Sequence, residues 1–437
     1  MNQIQFIQTL QRDPNTGKEL NFQDLWQMTH MKNNGEWIDG TREVHAGQFS
    51  SARNIAAYLD HRVESTSNIC AQSSFAATFD ISQRLLSLRK MRFLVVFISF
   101  LLASLVLVSS ERVARPPIVR GLDWDYYWLS CPRVERIVRK HLEDVFEKDS
   151  GVAPGILRLF FHDCFSQGCD ASILLNGNGT EENERNHPAN FGLRDEAIQA
   201  IEDIRAIIRV QCPRVVSCAD ILVIAAREAV RQFGGPDFDV PLGRKDNTKF
   251  DIDSPDNLPV PFERTDVQLS DFFEPKNFDA TDLVALSGAH TFGRAHCTTL
   301  FNRTIDTNPP IDPDFKNQLE AACPKDKELI NTVNLDIRTP IQFDNMYYIN
   351  LLNHQGVFTS DQDLASNPKT KEIVNRFASN QNEFFNKFAN AFVKVSQLDV
   401  LTGNQGEIRK SCFAPNNKKK SNVASVVEEV VGIATNM

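Results

Sequence analysis

The stretch LRLFFHDCFSQGCDAS, residues Leu157–Ser172, places reactive side chains directly after an apolar run. Its first half has helical spacing, which predicts a helix over Leu157–Phe165 with Arg158 and His162 on one face and Phe161 beside them. A histidine on an apolar helix face is more often a hydrogen-bonded core residue than a catalyst. An arginine one turn away favours catalysis, because a guanidinium is costly to bury without a partner or a role. Together they could supply a proton shuttle and a fixed cation.

The second half of the stretch is rich in oxygen ligands. Cys164 and Cys169 can close a short loop, around which lie the oxygens of Asp163, Asp170 and Ser172. A second set occurs in NLDIRTPIQFDN, which contains Asp336, Thr339 and Asp344. Carboxylate, hydroxyl and carbonyl oxygens suit a hard cation such as Ca²⁺, although loops of this composition are more often ordinary turns. Neither set has the spacing of an EF-hand.

The composition bounds the class of protein. A chain of 437 residues allows two or three domains, and 24% charged residues argues against general disorder. The net charge is −9 and no long basic stripe is present, so we expect no nucleic-acid partner.

The segment RKMRFLVVFISFLLASLVLVSS has the layout of a secretory signal peptide. Basic residues around Met91 precede an apolar run over 93–108 and small residues after it. A signal anchor is the alternative, since the run approaches the ~17 residues of a minimal membrane span. Met91 stands where translation of such a signal would begin. We therefore interpret residues 1–90 as an extraneous or disordered extension and 91–115 as a signal peptide region.

Cysteine usage supports export. The eight cysteines after the signal are Cys131, Cys164, Cys169, Cys212, Cys218, Cys297, Cys323 and Cys412. An even set in an exported chain predicts a disulfide framework, with about 105 pairings open by counting alone. The remaining cysteine, Cys70, lies in the extension. Asn178 and Asn302 begin glycosylation sequons.

Helical periodicity dominates the rest of the chain. One apolar stripe runs from Val134 to Phe146 and another from Ile198 to Ile208, and CADILVIAAREAVRQFGG ends in glycines that stop a helix. DATDLVALSGAH and NEFFNKFANAFVKV follow with the same spacing. The pattern predicts one mainly α unit of two lobes. The valine-rich end of the segment 413–437 is either a surface helix or a removable sorting tail.

A second histidine, His290, follows the small residues of SGA in LVALSGAHTFG. Small neighbours would let a flat, bulky group approach the imidazole, whereas Gly288 alone would suggest only a helix end. His296 lies among polar and charged residues, and we expect it at the surface.

Residues 121–412 resemble the class III secretory plant haem peroxidases, through several segments that follow one another in the family's order. GLDWDYYWLSCP is similar to the start of the mature proteins, and LRLFFHDCF to their distal haem motif. VVSCADIL, LVALSGAHTFG and FDNMYY are similar to later landmarks. The resemblance implies a mainly α, two-lobed fold with haem between distal and proximal helices.

The resemblance also implies roles for single residues. Arg158 and His162 would be the distal catalytic residues, Phe161 a distal wall and His290 the axial iron ligand. Asn190, linked to Glu184 in ERNHPAN, would hold the distal histidine. Asp361 would bind the axial histidine, and Pro259 would lie at the substrate edge.

Two calcium ions are implied as well. The ligands of the distal ion would be Asp163, Ser166, Gly168, Asp170 and Ser172, with Glu184 in the outer shell. Those of the proximal ion would be Thr291, Asp336, Thr339, Gln342 through its carbonyl, and Asp344. The implied disulfides are Cys131–Cys212, Cys164–Cys169, Cys218–Cys412 and Cys297–Cys323.

The expected function is therefore that of a monomeric haem peroxidase with one haem b, reducing hydrogen peroxide and oxidising small phenolic donors. It would travel the secretory pathway to the cell wall or the vacuole, without stable membrane association after signal cleavage. Two alternatives stay open. A helical metallohydrolase could bind a bare metal with His162, Asp163 and His290, and a non-catalytic, disulfide-stapled module would explain only the cysteines and sequons.

Overall fold

The computed structural model describes residues 116–177, 183–300, 303–305, 308–328 and 330–416. The predictions for the extension, the signal region, Cys70, the two sequon asparagines and the tail beyond residue 416 lie outside these residues.

Helices dominate the described part of the chain, and the prediction of a mainly α fold is confirmed. The α-helical segments are α1 Val134–Lys148, α2 Val152–Ser166, α3 Asp195–Gln211, α4 Cys218–Gln232, α5 Thr265–Val267, α6 Ala280–Ser287, α7 Pro313–Ala322, α8 Met346–Leu352, α9 Thr359–Ser366, α10 Lys371–Ser379 and α11 Gln381–Val395. The strands are β1 Arg294–His296 and β2 Thr332–Asn334, which pair antiparallel.

The sequence patterns account for the helices that carry the site. The stripe of α1 buries Val134, Val138, Leu142 and Phe146, and that of α3 buries its isoleucines at the same helical spacing. Capping fixes two helix starts. Ser217 accepts from the backbone N–H of Asp220 at the start of α4, and Asp279 forms a capping box with Asp282 at the start of α6.

The helices pack in two groups. In the first, α2 lies against α3 and α4, and α1 covers α3 and α4. In the second, α11 packs on α6 and α10, and α10 contacts α8 and α9. Helix α11 also contacts α2, and Phe160 of α2 stacks on Phe392 of α11 at 4.3 Å between ring centroids. This contact joins the two groups through one apolar core.

The described residues form four disulfides, Cys131–Cys212, Cys164–Cys169, Cys218–Cys412 and Cys297–Cys323. These are the pairs that the resemblance implies. Cys164–Cys169 joins the last turn of α2 to the loop that follows it. Among the described helices, none is long and apolar enough to cross a membrane.

Candidate active site

Helix α2 begins at Val152, five residues before the predicted Leu157. Pro154 lies in its first turn, as its sequence position predicts, because N–H groups there have no intrahelical acceptor. Four residues apart on α2, Arg158 and His162 share a face as expected. The Arg158 Nε–H donates to His162 Nε2 at 3.2 Å. Both side chains are half-buried. The helix thus holds an imidazole and a guanidinium in direct contact.

The other ring nitrogen of His162 faces Asn190. Its Nδ1 lies 2.7 Å from Asn190 Oδ1, and Asn190 Nδ2 donates to the Glu184 carbonyl at 2.7 Å. Because the amide nitrogen is used on Glu184, the amide oxygen is the acceptor for His162. The imidazole therefore carries its proton on Nδ1, and its Nε2 lone pair is the acceptor for Arg158 Nε–H.

Arg158 is also held from the far side. Its Nη2 donates to the carbonyls of Ala189 and Phe191, at 3.3 Å and 3.1 Å. Burial lowers the pKa of Arg158 to about 10, so the guanidinium stays charged at neutral pH. Burial, and next the charge of Arg158, lowers the pKa of His162 to about 3. The pair at neutral pH is one neutral base and one fixed cation.

One aromatic ring, that of Phe161, lies beside His162, with ring centroids 6.3 Å apart. Phe161 stacks on Phe165 with ring centroids 4.7 Å apart, which fixes it on the face beside His162.

The prediction that His296 lies at the surface was wrong. Its ring is half-buried, 6.1 Å from the ring of Phe191, because β1 runs beside the segment that holds Arg158.

His290 lies just beyond α6, in the short 3₁₀ turn Gly288–Thr291. Its Nδ1 is 2.8 Å from Asp361 Oδ1, near the start of α9. The side chain of His290 is 36% exposed, whereas that of Asp361 is 3% exposed. Within the described residues His290 Nε2 makes no hydrogen bond. The imidazole is thus fixed at one nitrogen and offers the other.

Asp361 accepts two further hydrogen bonds that the sequence did not reveal. The hydroxyl of Tyr347 donates to Oδ1 at 2.9 Å, and the backbone N–H of Phe358 donates to Oδ2 at 3.1 Å. Burial, and next the charge of Asp361, raises the pKa of Tyr347 well above its usual value. Tyr347 therefore remains a neutral donor.

The first oxygen-rich set is assembled around the end of α2. Ala171 N–H donates to Asp163 Oδ2 at 3.0 Å, and Ser172 N–H donates to Asp170 Oδ1 at 3.0 Å. The loop between them needs Gly168, whose φ is +135° and where a Cβ would lie 2.8 Å from the carbonyl oxygen of Asp399. Ser166 ends the helix, and its hydroxyl is 3.4 Å from the Asp163 carbonyl.

Two side chains in this set were missed by sequence reasoning. Gln167 donates to the Ser172 hydroxyl at 2.6 Å and to Glu184 Oε1 at 3.0 Å. Asn247, from a distant segment, donates to Asp170 Oδ2 at 2.7 Å. Gln167 stands inside the quoted stretch, but no local pattern places Asn247 there.

The carboxyl groups of this set fit a cation. Asp163 Oδ1 and Glu184 Oε2 are buried without a hydrogen-bond partner. Burial, and next the charge of Asp170, raises the pKa of Asp163 well above its usual value, and burial raises that of Glu184 to about 7. No group of three His, Cys, Asp or Glu side chains in the described chain could by itself hold a metal ion. The set instead mixes carboxylates with hydroxyl and carbonyl oxygens, as hard cations prefer.

The second oxygen-rich set joins the His290 turn to the loop before α8. Thr291 Oγ1 lies 3.1 Å from Asp344 Oδ1 and 3.5 Å from Asp336 Oδ2. Thr339 Oγ1 is 3.1 Å from Asp344 Oδ1. Gln342 lies in the same loop with an exposed side chain, and its N–H donates to the Thr339 carbonyl at 3.0 Å. Burial, above other causes, raises the pKa of Asp336.

Pro259 is half-buried and lies two residues beyond Asn257, whose amide donates to the Ser166 carbonyl at 3.1 Å. This hydrogen bond holds the Pro259 segment against the end of α2.

Comparison with known proteins identifies the family. The family model described as peroxidase matches residues 138–380. Peroxidase 12 of Arabidopsis thaliana is 45% identical over 332 residues, 75% of this chain and 91% of that protein. Cationic peroxidase SPC4 of Sorghum bicolor is 45% identical over 328 residues, 74% of this chain and 90% of that protein. The chain therefore belongs to the peroxidase family, among the class III plant enzymes, and is a peroxidase.

The family implies haem, and the described residues fit one. An imidazole that holds haem iron has its second nitrogen fixed by an acceptor, and His290 has this arrangement through Asp361. The enzyme also needs acid–base groups that are not metal ligands. His162 and Arg158 fit this second requirement, because His162 is hydrogen-bonded to Arg158 at one ring nitrogen and to Asn190 at the other.

Proposed function

We propose that this protein reduces hydrogen peroxide and oxidises small phenolic donors by one-electron steps, with one haem b between α2 and the turn that carries His290. The observation that carries the proposal is a difference between two histidines. Nδ1 of His162 faces a neutral amide oxygen, whereas Nδ1 of His290 faces a carboxylate. A neutral acceptor suits a base that must gain and release a proton, and a carboxylate suits a strongly donating metal ligand.

His162 is the acid–base residue in this proposal. In the substrate-free site its Nε2 lone pair accepts from Arg158 Nε, and peroxide takes the place of that donor. The lone pair then takes a proton from one peroxide oxygen and returns it to the other, which leaves as water. A pKa of about 3 means that His162 is unprotonated at neutral pH and that its protonated form is a better proton donor than an ordinary imidazolium. Asn190 keeps Nε2 directed at the substrate by holding Nδ1.

Arg158 stabilises the negative charge that develops on the leaving oxygen. Two hydrogen bonds from Nη2, to the carbonyls of Ala189 and Phe191, hold the guanidinium in place while its Nε–H moves from His162 to the leaving oxygen, so little reorganisation is needed. Phe161 forms an apolar wall beside the pair and limits the entry of bulk water.

His290 would hold the haem iron through Nε2, and Asp361 gives its imidazole anionic character by accepting the N–H of Nδ1. The haem, when bound, supplies the iron and its redox chemistry. Pro259 would contact phenolic donors at the open edge of the site.

Two calcium ions complete the proposal. One would neutralise the buried carboxyls of Asp163 and Asp170 near Glu184, and so hold the end of α2 that carries His162. The other would join Thr291, next to His290, to the loop of Asp336, Thr339, Gln342 and Asp344. Each ion would fix the position of one histidine.

A haem titration tests the proposal. The purified wild-type protein, loaded with hemin, should show an intense Soret band and oxidise a phenol such as guaiacol only when peroxide is present. His290→Ala should lose tight hemin binding. His141→Ala, which removes a half-buried imidazole from α1, should retain it. A wild-type protein that binds no haem would overturn the proposal and favour the metallohydrolase or non-catalytic alternatives.

We further propose that residues 121–412 form the mature peroxidase domain, exported as a monomer after removal of the signal region 91–115. Residues 1–90 would not occur in the mature protein, and 413–437 would act as a sorting tail. Mass spectrometry of both ends tests the first part. An N-terminus after Ser110 and before Tyr126 supports it, and peptides from residues 1–92 contradict it. Residues 413–437 fused to a secreted reporter should divert it to the vacuole, whereas full secretion would contradict sorting.

A further inference from the structure

Two hydrogen bonds converge on one carboxylate oxygen beside His290. Asp361 Oδ1 accepts from His290 Nδ1 at 2.8 Å and from the Tyr347 hydroxyl at 2.9 Å. We propose that Tyr347 is a positioning residue that competes with His290 for Asp361 Oδ1, limits the anionic character of the imidazole and raises the reduction potential of the iron. The inference rests on the proposed function, because it requires His290 to be the iron ligand.

The position of Tyr347 leaves its hydroxyl little choice of partner. The side chain is 2% exposed, so water does not replace Asp361 as acceptor. Its ring meets the edge of His290 at 6.2 Å between centroids and the edge of Tyr348 at 5.0 Å. Tyr347 lies on α8 and Asp361 on α9, so the hydrogen bond between them also joins these two helices.

The direction of the effect follows from charge. A carboxylate oxygen that accepts a second hydrogen bond has less electron density for the first one. The His290 proton then stays closer to Nδ1, and the imidazole is a weaker donor at Nε2. A weaker axial donor stabilises ferric iron less, so the potential rises. Tyr347 therefore opposes Asp361, whose charge alone would lower the potential.

The next residue in the chain provides a matched control. Tyr348 is also buried, but its hydroxyl donates to the carbonyl of Val284 on α6 at 2.9 Å. Removing either hydroxyl deletes one buried hydrogen bond from the same turn of α8. Only the removal at Tyr347 changes a group bonded to His290.

The experiment compares the Fe(III)/Fe(II) midpoint potential and the ferrous iron–histidine stretching frequency of hemin-loaded wild type, Tyr347→Phe and Tyr348→Phe. We expect Tyr347→Phe to lower the potential and raise the frequency, and Tyr348→Phe to leave both at wild-type values. In an Asp361→Asn background, Tyr347→Phe should shift the potential by much less. Equal values for the two phenylalanine variants would overturn the inference.

A second variant guards against loss of folding. Fluorotyrosine incorporated at position 347 keeps the ring and the hydroxyl but makes a stronger donor, so it should move the potential upward. An unchanged or lowered potential would contradict the inference. Failure of the proposed function is separable, because the wild-type protein would then lack the iron–histidine band altogether.

Discussion

His162 and Asn190 are joined by a hydrogen bond of 2.7 Å between Nδ1 and the amide oxygen, across the gap between α2 and the 3₁₀ turn Pro188–Asn190. His290 Nδ1 makes the corresponding contact with a carboxylate oxygen, that of Asp361, at 2.8 Å. One nitrogen of each ring is thus immobilised, and the chemistry of the acceptor separates a base from a metal ligand.

The first prediction concerns pH. Because the folded protein holds the pKa of His162 near 3, its rate with peroxide should stay constant as pH falls from 8 to about 4, well below the usual histidine pKa of about 6.5. The unfolded chain binds a proton there from about pH 6.5 downward, so this residue should cost stability as pH falls from about 6.5 toward 3. Stopped-flow rates across this range check it, and a rate that halves near pH 6.5 would contradict it.

The amide that holds His162 gives the second prediction. Asn190→Ala should slow the reaction with peroxide by up to about tenfold, the worth of one positioning hydrogen bond. Asn186→Ala, at an exposed position of the same segment, should react at the wild-type rate. Equal rates for the two variants would show that Asn190 does not orient His162.

The third prediction concerns Asp361. Asp361→Asn should keep its haem but raise the Fe(III)/Fe(II) potential. A neutral amide accepts a weaker hydrogen bond from His290 Nδ1 than a carboxylate does, so the imidazole becomes a weaker electron donor to iron. Asp363→Asn is the matched control. It changes a buried aspartate on the same helix that accepts from the Thr265 N–H and Arg264, away from His290. Potentiometry should separate the two variants, and an unshifted Asp361→Asn would argue against its role.

Calcium removal gives the fourth prediction. Chelation should lower the melting temperature and slow peroxide reduction without immediate release of haem. In the calcium-free protein, burial raises the pKa of Glu184 from 4.5 to about 7. The fold then binds a proton that the unfolded chain has lost, so stability should fall as pH rises from about 4.5 to 7.

Added Ca²⁺ should reverse that loss, because it stabilises the ionised carboxyls of Asp163 and Glu184. Asp163→Asn should weaken calcium binding, whereas Asp144→Asn, at an exposed site on α1, should not. Elemental analysis that finds no calcium, together with a melting temperature indifferent to chelation, would refute both sites.

The residues of the site differ in how far the sequence predicts them. Arg158 and His162 follow from helical spacing, which fixes their common face before any tertiary contact forms. His290 and Asp361 are 71 residues apart, and only the resemblance to a family connects them. Tyr347 was missed because the two tyrosines of FDNMYY are equivalent in sequence, and packing alone directs one to Asp361 and the other to Val284.

Other boundaries also depend on tertiary structure. Helix α2 starts at Val152, before the predicted Leu157, and Pro154 lies in its first turn, where the sequence predicts that a proline is tolerated. His296 looked like a surface residue from its polar neighbours, but the pairing of β1 with β2 holds it against the segment of Phe191. Sequence patterns show which residues share one face of a helix or strand, whereas long-range contacts decide which of those residues are buried.

The most direct test of the proposal is the second-order rate of the hemin-loaded protein with hydrogen peroxide, measured by stopped flow for wild type and His162→Ala. The variant keeps His290 and should show the same haem content. We expect its rate to fall by at least the roughly 10²–10⁴-fold typical of a lost acid–base residue, with a smaller loss for Arg158→Leu. A His162→Ala protein that reacts with peroxide at nearly the wild-type rate would contradict the central claim.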